Sequence, residues 1–463
     1  MNRAKYLAKN TAAFALFNFG TRIINFFLVP LYTNLLTTEQ YGVTDLIFTI
    51  CSFITPILMF NIGESIMRFP LDKGADRNKI MSVGILVMFV SITMGFFIYV
   101  AADFYTPVSE YKSYIYWYTV TYAICEIMLC YLRGKELLIA FSLGNIIKTL
   151  TIAGFNILFL VGLSMKVEGY LLAYVLANIV TSIFCFVVGN ILDVIRHFSL
   201  DKALLLHMIK YSVPLIPNSL MWWIVNSSDR IMITALVDIS ASGIYAVSSK
   251  IPSLISVIST TFNQAFSYSA IHEEESQDRI EFNNRIFDYL FAVVTICGLG
   301  VLLIIKYFMR YYVSEAYYIA WTYSVPLVVG TCFMVFSTFF SVSYTVNKDS
   351  FGFLKSGIVG AVTNLIFNFV FIHICGAFGA AMATLASYIT VFLFRFYDTK
   401  KYLPLKVFTG KHIVSIFMLT LGGISVYMGT LVNITICGCF IVYCFIIYRE
   451  NWTLIAKLAR RKS

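Results

Sequence analysis

The sequence is short of charge. Only 13% of its 463 residues are Asp, Glu, Lys or Arg, whereas soluble proteins carry roughly 25%. Apolar residues make up 59% of the chain, and the mean hydropathy is +0.81. A soluble fold could not hide that much apolar surface. The composition therefore predicts an all-α, polytopic membrane protein and excludes a disordered, collagen-like or coiled-coil chain.

Motifs for catalysis and for metal binding are also absent. The sequence has no GxxxxGK[ST] phosphate loop and no HExxH, and its ten cysteines form no CxxC pair. These absences argue against ATP hydrolysis, a disulfide framework and a metal site. A glycosyltransferase or polymerase would need an acid/base constellation or a large outer loop, and neither is visible. We therefore predict no enzyme activity and no cofactor, and attribute the net charge of +10 to membrane orientation rather than to nucleic-acid binding.

Long apolar runs are frequent, and about 20 helical residues suffice to cross a bilayer core. We predict fourteen spans and, before the seventh, an amphipathic interfacial helix at Leu200–Lys210. The spans are Thr11–Leu36, Gly42–Ile62, Ile80–Ala102, Tyr114–Leu132, Leu138–Leu163, Gly169–Val188, Val213–Val237, Gly243–Ser267, Ile286–Ile305, Ile319–Val342, Ser356–Ile374, Gly376–Phe394, Ile413–Leu431 and Val432–Tyr448.

Positive charge is unevenly distributed among the loops. An even number of spans places both termini on one side of the membrane. If that side is the cytoplasm, 26 of the 34 Lys and Arg residues fall in inner segments and only 4 fall in outer loops. Because Lys and Arg accumulate in cytoplasmic loops, this distribution predicts that the N- and C-termini both lie in the cytoplasm.

A shift of 201 residues superposes the first hairpin on the seventh and eighth spans. The matched pairs include Asn25/Asn226, Thr33/Thr234 and Gly42/Gly243, although two similar hairpins could align by chance. The repeat predicts two parallel six-helix halves with a substrate path between them. The predicted organisation is a six-helix half at 1–188, a cytoplasmic linker at 189–212, a second half at 213–396, and a segment with two helices and a basic tail at 397–463.

Ionisable residues interrupt these spans. Each costs about 2.5–3.5 kcal/mol at the bilayer centre, so they must be paired or must line a wet cavity. With a rise of about 1.5 Å per residue, Asp229 and Lys250 come to lie at one depth. We therefore predict an Asp229–Lys250 ion pair, which leaves surplus positive charge for an anionic substrate. The residues in question are Arg22, Asp45, Glu126, Lys148, Asp229, Arg230 and Lys250.

Several of these residues, and the polar residues near them, allow two interpretations. The cations Arg22, Lys148, Arg230 and Lys250 either bind substrate or pair between helices. Asp45 either reaches the outer interface or, like Glu126 and Asp229, is a candidate for H⁺ or Na⁺ coupling; Glu126 could instead be a neutral acid at a helix contact. The polar and aromatic residues of the first and seventh spans are candidates for contact with sugars, and the asparagines among them could equally hold helices together. They are Asn25, Asn218, Trp222 and Asn226.

Three segments carry a resemblance to a known family. The segment Tyr211–Arg230, YSVPLIPNSLMWWIVNSSDR, resembles the seventh-helix signature of Wzx-type lipid-linked oligosaccharide flippases, and Gly20–Gly42 and Gly243–Lys250 fit the same pattern. These flippases belong to the multidrug/oligosaccharidyl-lipid/polysaccharide (MOP) exporter superfamily. The resemblance implies fourteen helices, a cationic cavity, and transfer of an undecaprenyl-diphosphate-linked sugar unit from the inner to the outer leaflet of the bacterial cytoplasmic (inner) membrane. We interpret this transfer as alternating access by the two six-helix halves. It also implies polysaccharide assembly machinery as a partner.

The sequence leaves three other functions open. A multidrug exporter of the same fold would need a net negative lumen, whereas the charges in the predicted spans are four positive and three negative. A flippase for a peptidoglycan precursor differs mainly in its motifs. A scaffold within a glycan-assembly complex would tolerate neutralisation of the in-span charges.

Overall fold

The computed structural model describes residues 20–72, 74–101, 109–272, 279–402 and 409–449. The predicted start of the first span at 11–19, the end of the third at Ala102 and the basic tail at 450–463 lie outside these residues. Within the described ranges the regular elements are helical, with no strand. Helix α1 covers residues 20–35. The later helices are α2 (Thr38–Leu58), α3 (Ile62–Arg68), α4 (Arg77–Ala101), α5 (Lys112–Gly134), α6 (Leu138–Asn156), α7 (Val167–Val188), α8 (Ile191–Arg196), α9 (Lys202–Ser212), α10 (Ile216–Leu236), α11 (Ile239–Ser248), α12 (Lys250–His272), α13 (Arg279–Tyr312), α14 (Ala320–Val346), α15 (Ser350–Cys375), α16 (Ala377–Asp398), α17 (Gly410–Met428) and α18 (Thr430–Ile447).

Most of the predicted spans correspond to helices that could cross a membrane. Among the described residues, 11 helices are long and apolar enough, or 12 when one bent pair counts as a single span. The total of fourteen is therefore not confirmed. The first predicted span begins outside the described residues, and α10 carries polar residues that lower its hydropathy. The chain is a multi-pass membrane protein.

The chain divides into two compact units, Met1–Trp223 and Ile224–Ser463. The division falls inside α10 rather than in the polar segment before it. The predicted layout of two six-helix halves stays a prediction.

Equivalent N-caps begin the second helix of each repeated hairpin. The Oγ1 atom of Thr37 accepts a hydrogen bond from the backbone N–H of Gln40 at 3.2 Å, and the side chain of Gln40 accepts one from the N–H of Thr37 at 3.1 Å. Asp238, which is 201 residues further on, accepts from the N–H of Ala241 at 2.7 Å. Such caps satisfy amides that a helix leaves without partners. The shift found in the sequence therefore aligns two helix starts.

In the first unit, the predicted amphipathic segment forms helix α9 and packs against α3 and α4. The hydroxyl of Ser65 donates to the backbone carbonyl of Met208 at 2.8 Å. The Met208 side chain is fully buried in a cluster with Ile62 and Ile66. The apolar face of α9 therefore packs on protein in this unit.

In the second unit, α14 forms the core and α18 lies at the edge. Nearly all of α14 is buried, and Phe336 stacks on Phe291 of α13 with ring centroids 3.8 Å apart. The buried residues of α18 are Asn433, Cys437 and Cys444. The turn before α18 is at Gly429, whose φ of +125° suits glycine. The predicted boundary at Leu431 and Val432 is thus corrected to a turn a few residues earlier.

The predicted eighth span, Gly243–Ser267, is not a continuous helix. Helices α11 and α12 meet at Ser249 with a bend of 43°. Pro252 explains the break, because its ring would clash with the carbonyl of Ser248 in a continuous helix. That carbonyl instead accepts a hydrogen bond from the hydroxyl of Ser324 at 2.8 Å. The break is therefore satisfied within the protein, and Lys250 becomes the first residue of α12.

Candidate functional site

A buried carboxylate is the most strongly bonded group of the polar network in the second unit. Asp229 on α10 is only 3% exposed. Its Oδ2 atom accepts hydrogen bonds from the hydroxyl of Tyr245 at 2.5 Å and from that of Thr384 at 2.6 Å, and Oδ1 accepts from the amide of Asn368 at 2.6 Å. Three helices, α11, α15 and α16, therefore supply neutral donors to one charge. Such bonds to an ionised acceptor offset much of its cost of burial.

The network extends one further layer along α15. The Oδ1 atom of Asn364 accepts from the amide of Asn368 at 3.0 Å and from the hydroxyl of Ser228 at 2.9 Å. Within the described residues, the Oδ1 atom of Asn368 and the amide of Asn364 are buried without a hydrogen-bond partner. A buried carboxylate beside an unused amide oxygen and two hydroxyls is the oxygen-rich environment that a hard cation or a proton prefers.

The predicted Asp229–Lys250 ion pair is wrong. Asp229 is bonded to Tyr245, Asn368 and Thr384 instead, and Lys250 forms no ion pair within the described part of the chain. The depth estimate assumed a straight helix, whereas the chain bends by 43° just before Lys250. The acid and the base therefore belong to different environments.

Two cations do meet the broken helix. The Nη2 atom of Arg230 donates to the hydroxyl of Ser249 at 3.4 Å, and Lys250 is the next residue along the chain. The half-buried Arg230 follows Asp229 directly on α10. The N-terminus of a helix carries partial positive charge and unbonded N–H groups. The break therefore gathers positive charge from a guanidinium, an ammonium group and a helix N-terminus.

In the first unit, Lys148 lies on an aromatic ring. Its Nζ atom is 4.8 Å from the ring centroid of Tyr122, and the part of the chain that the structure describes contains no acidic group at ion-pair distance from it. Glu126, one turn further along α5, is exposed and accepts a weak bond from the Sγ atom of Cys130 at 3.9 Å. Within the described residues, Lys148 is therefore held by an aromatic ring.

The other predicted site residues occupy varied positions. Arg22 on α1 and Asp45 on α2 are half-buried, while Asn25 is exposed. Asn218 and Trp222 are half-buried on α10, and the Oδ1 atom of Asn218 is buried with no hydrogen-bond partner among the described residues. Asn226 accepts a hydrogen bond from the hydroxyl of Tyr388 at 3.2 Å.

Arg395 was not expected from the sequence, because the predicted span ends one residue before it. It lies inside α16 and is only 1% exposed. Its Nε atom donates to the hydroxyl of Ser356 at 3.1 Å, and Nη1 donates to the hydroxyl of Ser337 at 3.2 Å. Arg395 therefore links α14, α15 and α16.

The residues around Asp229 were also missed. Asn364 and Asn368 are separated by four positions in a mainly apolar helix. That spacing places two amides on one helix face and could have singled them out. Tyr245 and Thr384 carry no comparable signal in the sequence.

Comparison with known proteins shows the family to which the chain belongs. The family model described as "Polysaccharide biosynthesis protein" matches residues 7–270, which is more than half of the chain. The chain belongs to this family. No curated protein matches it in sequence.

Solved structures show the fold of this family member. The lipid II flippase MurJ in an inward closed conformation is 15% identical, with a TM-score of 0.69 over 94% of this chain and 99% of that one. An inward-facing MATE-family multidrug resistance transporter of the MOP superfamily is 15% identical, with a TM-score of 0.60 over 84% and 94% of the two chains. A MOP superfamily transporter from Pyrococcus furiosus has a TM-score of 0.58 at 15% identity, over 85% and 95%. The chain therefore shares its fold with this flippase and with these transporters.

Proposed function

We propose that this chain is a flippase for a lipid-linked oligosaccharide. Its cargo would be an undecaprenyl-diphosphate-linked sugar unit, moved from the inner to the outer leaflet of the bacterial cytoplasmic membrane by alternating access. The match to the polysaccharide biosynthesis family and the fold shared with a lipid II flippase support this class of cargo. Both termini would lie in the cytoplasm, and a polysaccharide polymerase would use the product.

The observation that carries the proposal is the broken helix with its cations. Arg230 bonds to Ser249 at the break, and Lys250 begins α12. In secondary transporters, the N-termini of broken helices point at anionic groups of the substrate. The planar fork of an arginine side chain matches two phosphate oxygens at once. A diphosphate is therefore the group that this arrangement suits.

The first unit contains a further cation, Lys148, that we propose for binding of the anionic cargo. Lys148 is held by the Tyr122 ring rather than by a carboxylate, so an arriving anion would not have to break an ion pair. Arg22, Asn25, Asn218, Trp222 and Asn226 remain proposed contacts of the cargo.

Asp229 is the proposed site of ion coupling. Its carboxylate and the unused Oδ1 atom of Asn368 are both buried and could hold H⁺ or Na⁺. Binding of a cation would neutralise the carboxylate and reorganise the bonds from Tyr245 and Thr384. Asp45 and Glu126 are weaker candidates, because Asp45 is half-buried and Glu126 is exposed.

Deletion of the gene, followed by analysis of the accumulated lipids, tests the cargo. We expect an undecaprenyl-diphosphate-linked oligosaccharide to build up and surface polysaccharide to be lost. The similarity to MurJ makes a peptidoglycan precursor the second candidate, and accumulation of that precursor would select it. Normal lipids together with increased drug sensitivity would contradict both and favour a multidrug exporter. Normal export in a variant lacking the in-span charges would favour a scaffold.

A further inference from the structure

An aromatic column runs through the first unit and ends at Lys148. It consists of Tyr170, Tyr174, Phe48, Tyr118 and Tyr122, which come from α2, α5 and α7. Successive ring centroids are 5.2, 4.5, 4.8 and 5.7 Å apart. The Nζ atom of Lys148 then lies 4.8 Å from the Tyr122 centroid. The column thus joins four phenol groups to one ammonium group.

The column reaches from a helix end to the middle of the unit. Tyr170 lies in the first turn of α7, whereas Tyr122 and Lys148 lie near the midpoints of α5 and α6. With a rise of about 1.5 Å per residue, this difference corresponds to roughly 10 Å of depth. Tyr170 is only 4% exposed, whereas the other four rings are half-buried. Those four rings therefore form the accessible part of the column.

Packing alone does not explain why two of the rings in the column carry a hydroxyl group. Tyr170 and Tyr174 bond to each other at 3.3 Å, but within the described ranges the hydroxyls of Tyr118 and Tyr122 have no hydrogen-bond partner. Both side chains are half-buried. An unpaired hydroxyl in a membrane interior is costly, and phenylalanine would pack as well without that cost. The two phenols therefore need a partner that the protein itself does not supply.

We propose that the aromatic column is the surface that receives the saccharide of a lipid-linked diphosphate, with Lys148 holding the charged end. This inference rests on the proposed function and adds the residues that contact the glycan. A pyranose has an apolar C–H face and a rim of hydroxyls, and tyrosine offers a ring face and a hydroxyl. A diphosphate attracts Lys148 more strongly than a ring does. Its arrival therefore frees one face of Tyr122 for a sugar.

Binding of two lipids to the purified full-length chain tests the proposal. The probes are undecaprenyl diphosphate and the same lipid carrying a disaccharide. We expect the unmodified chain to bind the glycosylated probe about tenfold more tightly. Tyr118→Leu should abolish that difference and leave the affinity for the bare lipid unchanged. Lys148→Met should weaken both probes by the same factor.

Two further variants separate binding from folding. Tyr116 is on the same helix but packs against Phe96 and Tyr99 outside the column, so Tyr116→Leu should leave both affinities unchanged. Tyr122→Phe keeps the ring and should lose about threefold for the glycosylated probe alone. Because phenylalanine preserves the packing, its result stands even if a leucine variant fails to fold.

The contrary outcomes distinguish failure of this inference from failure of the proposed function. If the unmodified chain binds both probes equally, or if the Tyr118 and Tyr122 variants weaken both equally, the column is packing and the inference is overturned while the proposed function stands. If the unmodified chain binds neither probe, the proposed function fails and this inference fails with it.

Discussion

The two hairpins related by the 201-residue shift differ in where they carry charge. In the first, α2 runs unbroken from Thr38 to Leu58. In the second, the equivalent stretch breaks at Ser249 and Lys250 follows. Lys250 corresponds to Thr49 of the first hairpin, whose side chain is buried and uncharged.

Asp229 and Arg230 show the same contrast on the preceding helix. Their counterparts under the shift are Leu28 and Val29, which are both buried apolar residues. The two hairpins therefore have aligned caps, and the second carries an acid, two cations and a break where the first has uncharged residues and a continuous helix. The difference indicates that these groups are specialised features rather than requirements of the hairpin, and replacing them by their counterparts tests that interpretation.

The largest loss of stability is expected from Asp229→Leu, which replaces Asp229 by the type of residue found at its counterpart in the first hairpin, Leu28. It would leave Tyr245, Asn368 and Thr384 buried without their acceptor, at a cost of about 3 kcal/mol or more in the free energy of unfolding. Denaturant unfolding in mixed micelles measures this cost. Asp229→Asn, which keeps one acceptor oxygen, should unfold closer to the unmodified chain yet lose ion-coupled transport. Unchanged stability of Asp229→Leu would contradict the structural role of the network.

Lys250→Thr and Arg230→Val should each reduce transport of the lipid-linked saccharide by about tenfold or more. A charge-assisted bond contributes roughly 1.5–3 kcal/mol, and each 1.4 kcal/mol corresponds to about a factor of ten. Initial rates in reconstituted vesicles measure the loss. Lys202→Thr is the matched control, because Lys202 also begins a helix, α9, but is exposed outside the spans. Equal transport rates for Lys250→Thr and the control would contradict a role of the broken helix in transport.

Pro252→Ala should reduce the bend between α11 and α12 and slow transport severalfold, less than loss of a cation does. Removing proline restores the N–H and relieves the clash with residue 248. The distance between spin labels on the two helices should increase. Pro326→Ala is the control, because Pro326 lies inside the continuous helix α14. An unchanged distance would mean that packing, and not proline, sets the break.

The smallest effect concerns acid stability at the N-cap of α15. Two hydrogen bonds lower the pKa of Asp349 to about 2. The larger effect comes from the hydroxyl of Tyr402 and the smaller from the N–H of Gly352. A lowered pKa stabilises the fold above the unfolded value of about 4, and this stabilisation is lost as the pH falls towards 2. Tyr402→Phe should therefore unfold at a slightly lower temperature at neutral pH, and the difference should disappear near pH 2. A constant difference across this range would exclude Asp349 as its source.

Features repeated along the chain could be predicted from the sequence. The apolar runs gave helices at most of the expected positions, and the shift of 201 residues aligned the caps at Thr37 and Asp238. Both signals are local, because a helix and its cap depend on neighbouring residues. The amphipathic pattern before α10 likewise predicted helix α9.

Contacts between distant segments could not be predicted. The partners of Asp229 include Asn368 and Thr384, which are 139 and 155 positions away in the sequence, and hydropathy says nothing about which helices adjoin. The depth arithmetic failed at Lys250 because it assumed a straight helix. The predicted twelfth span ends at Phe394 because a charge normally ends a span, whereas Arg395 lies inside α16 and donates hydrogen bonds to the hydroxyls of Ser337 and Ser356.

The most direct test of the central claim is the location of the cargo in vesicles reconstituted with the purified chain. An impermeant oxidant modifies only saccharides on the outer leaflet, so protected lipid-linked oligosaccharide reports on transfer. We predict that an imposed ion gradient makes the protected pool accessible with the unmodified chain and that Lys250→Thr slows this about tenfold. A pool that stays protected under every gradient, with correctly folded protein, would contradict the assignment of this chain as a flippase.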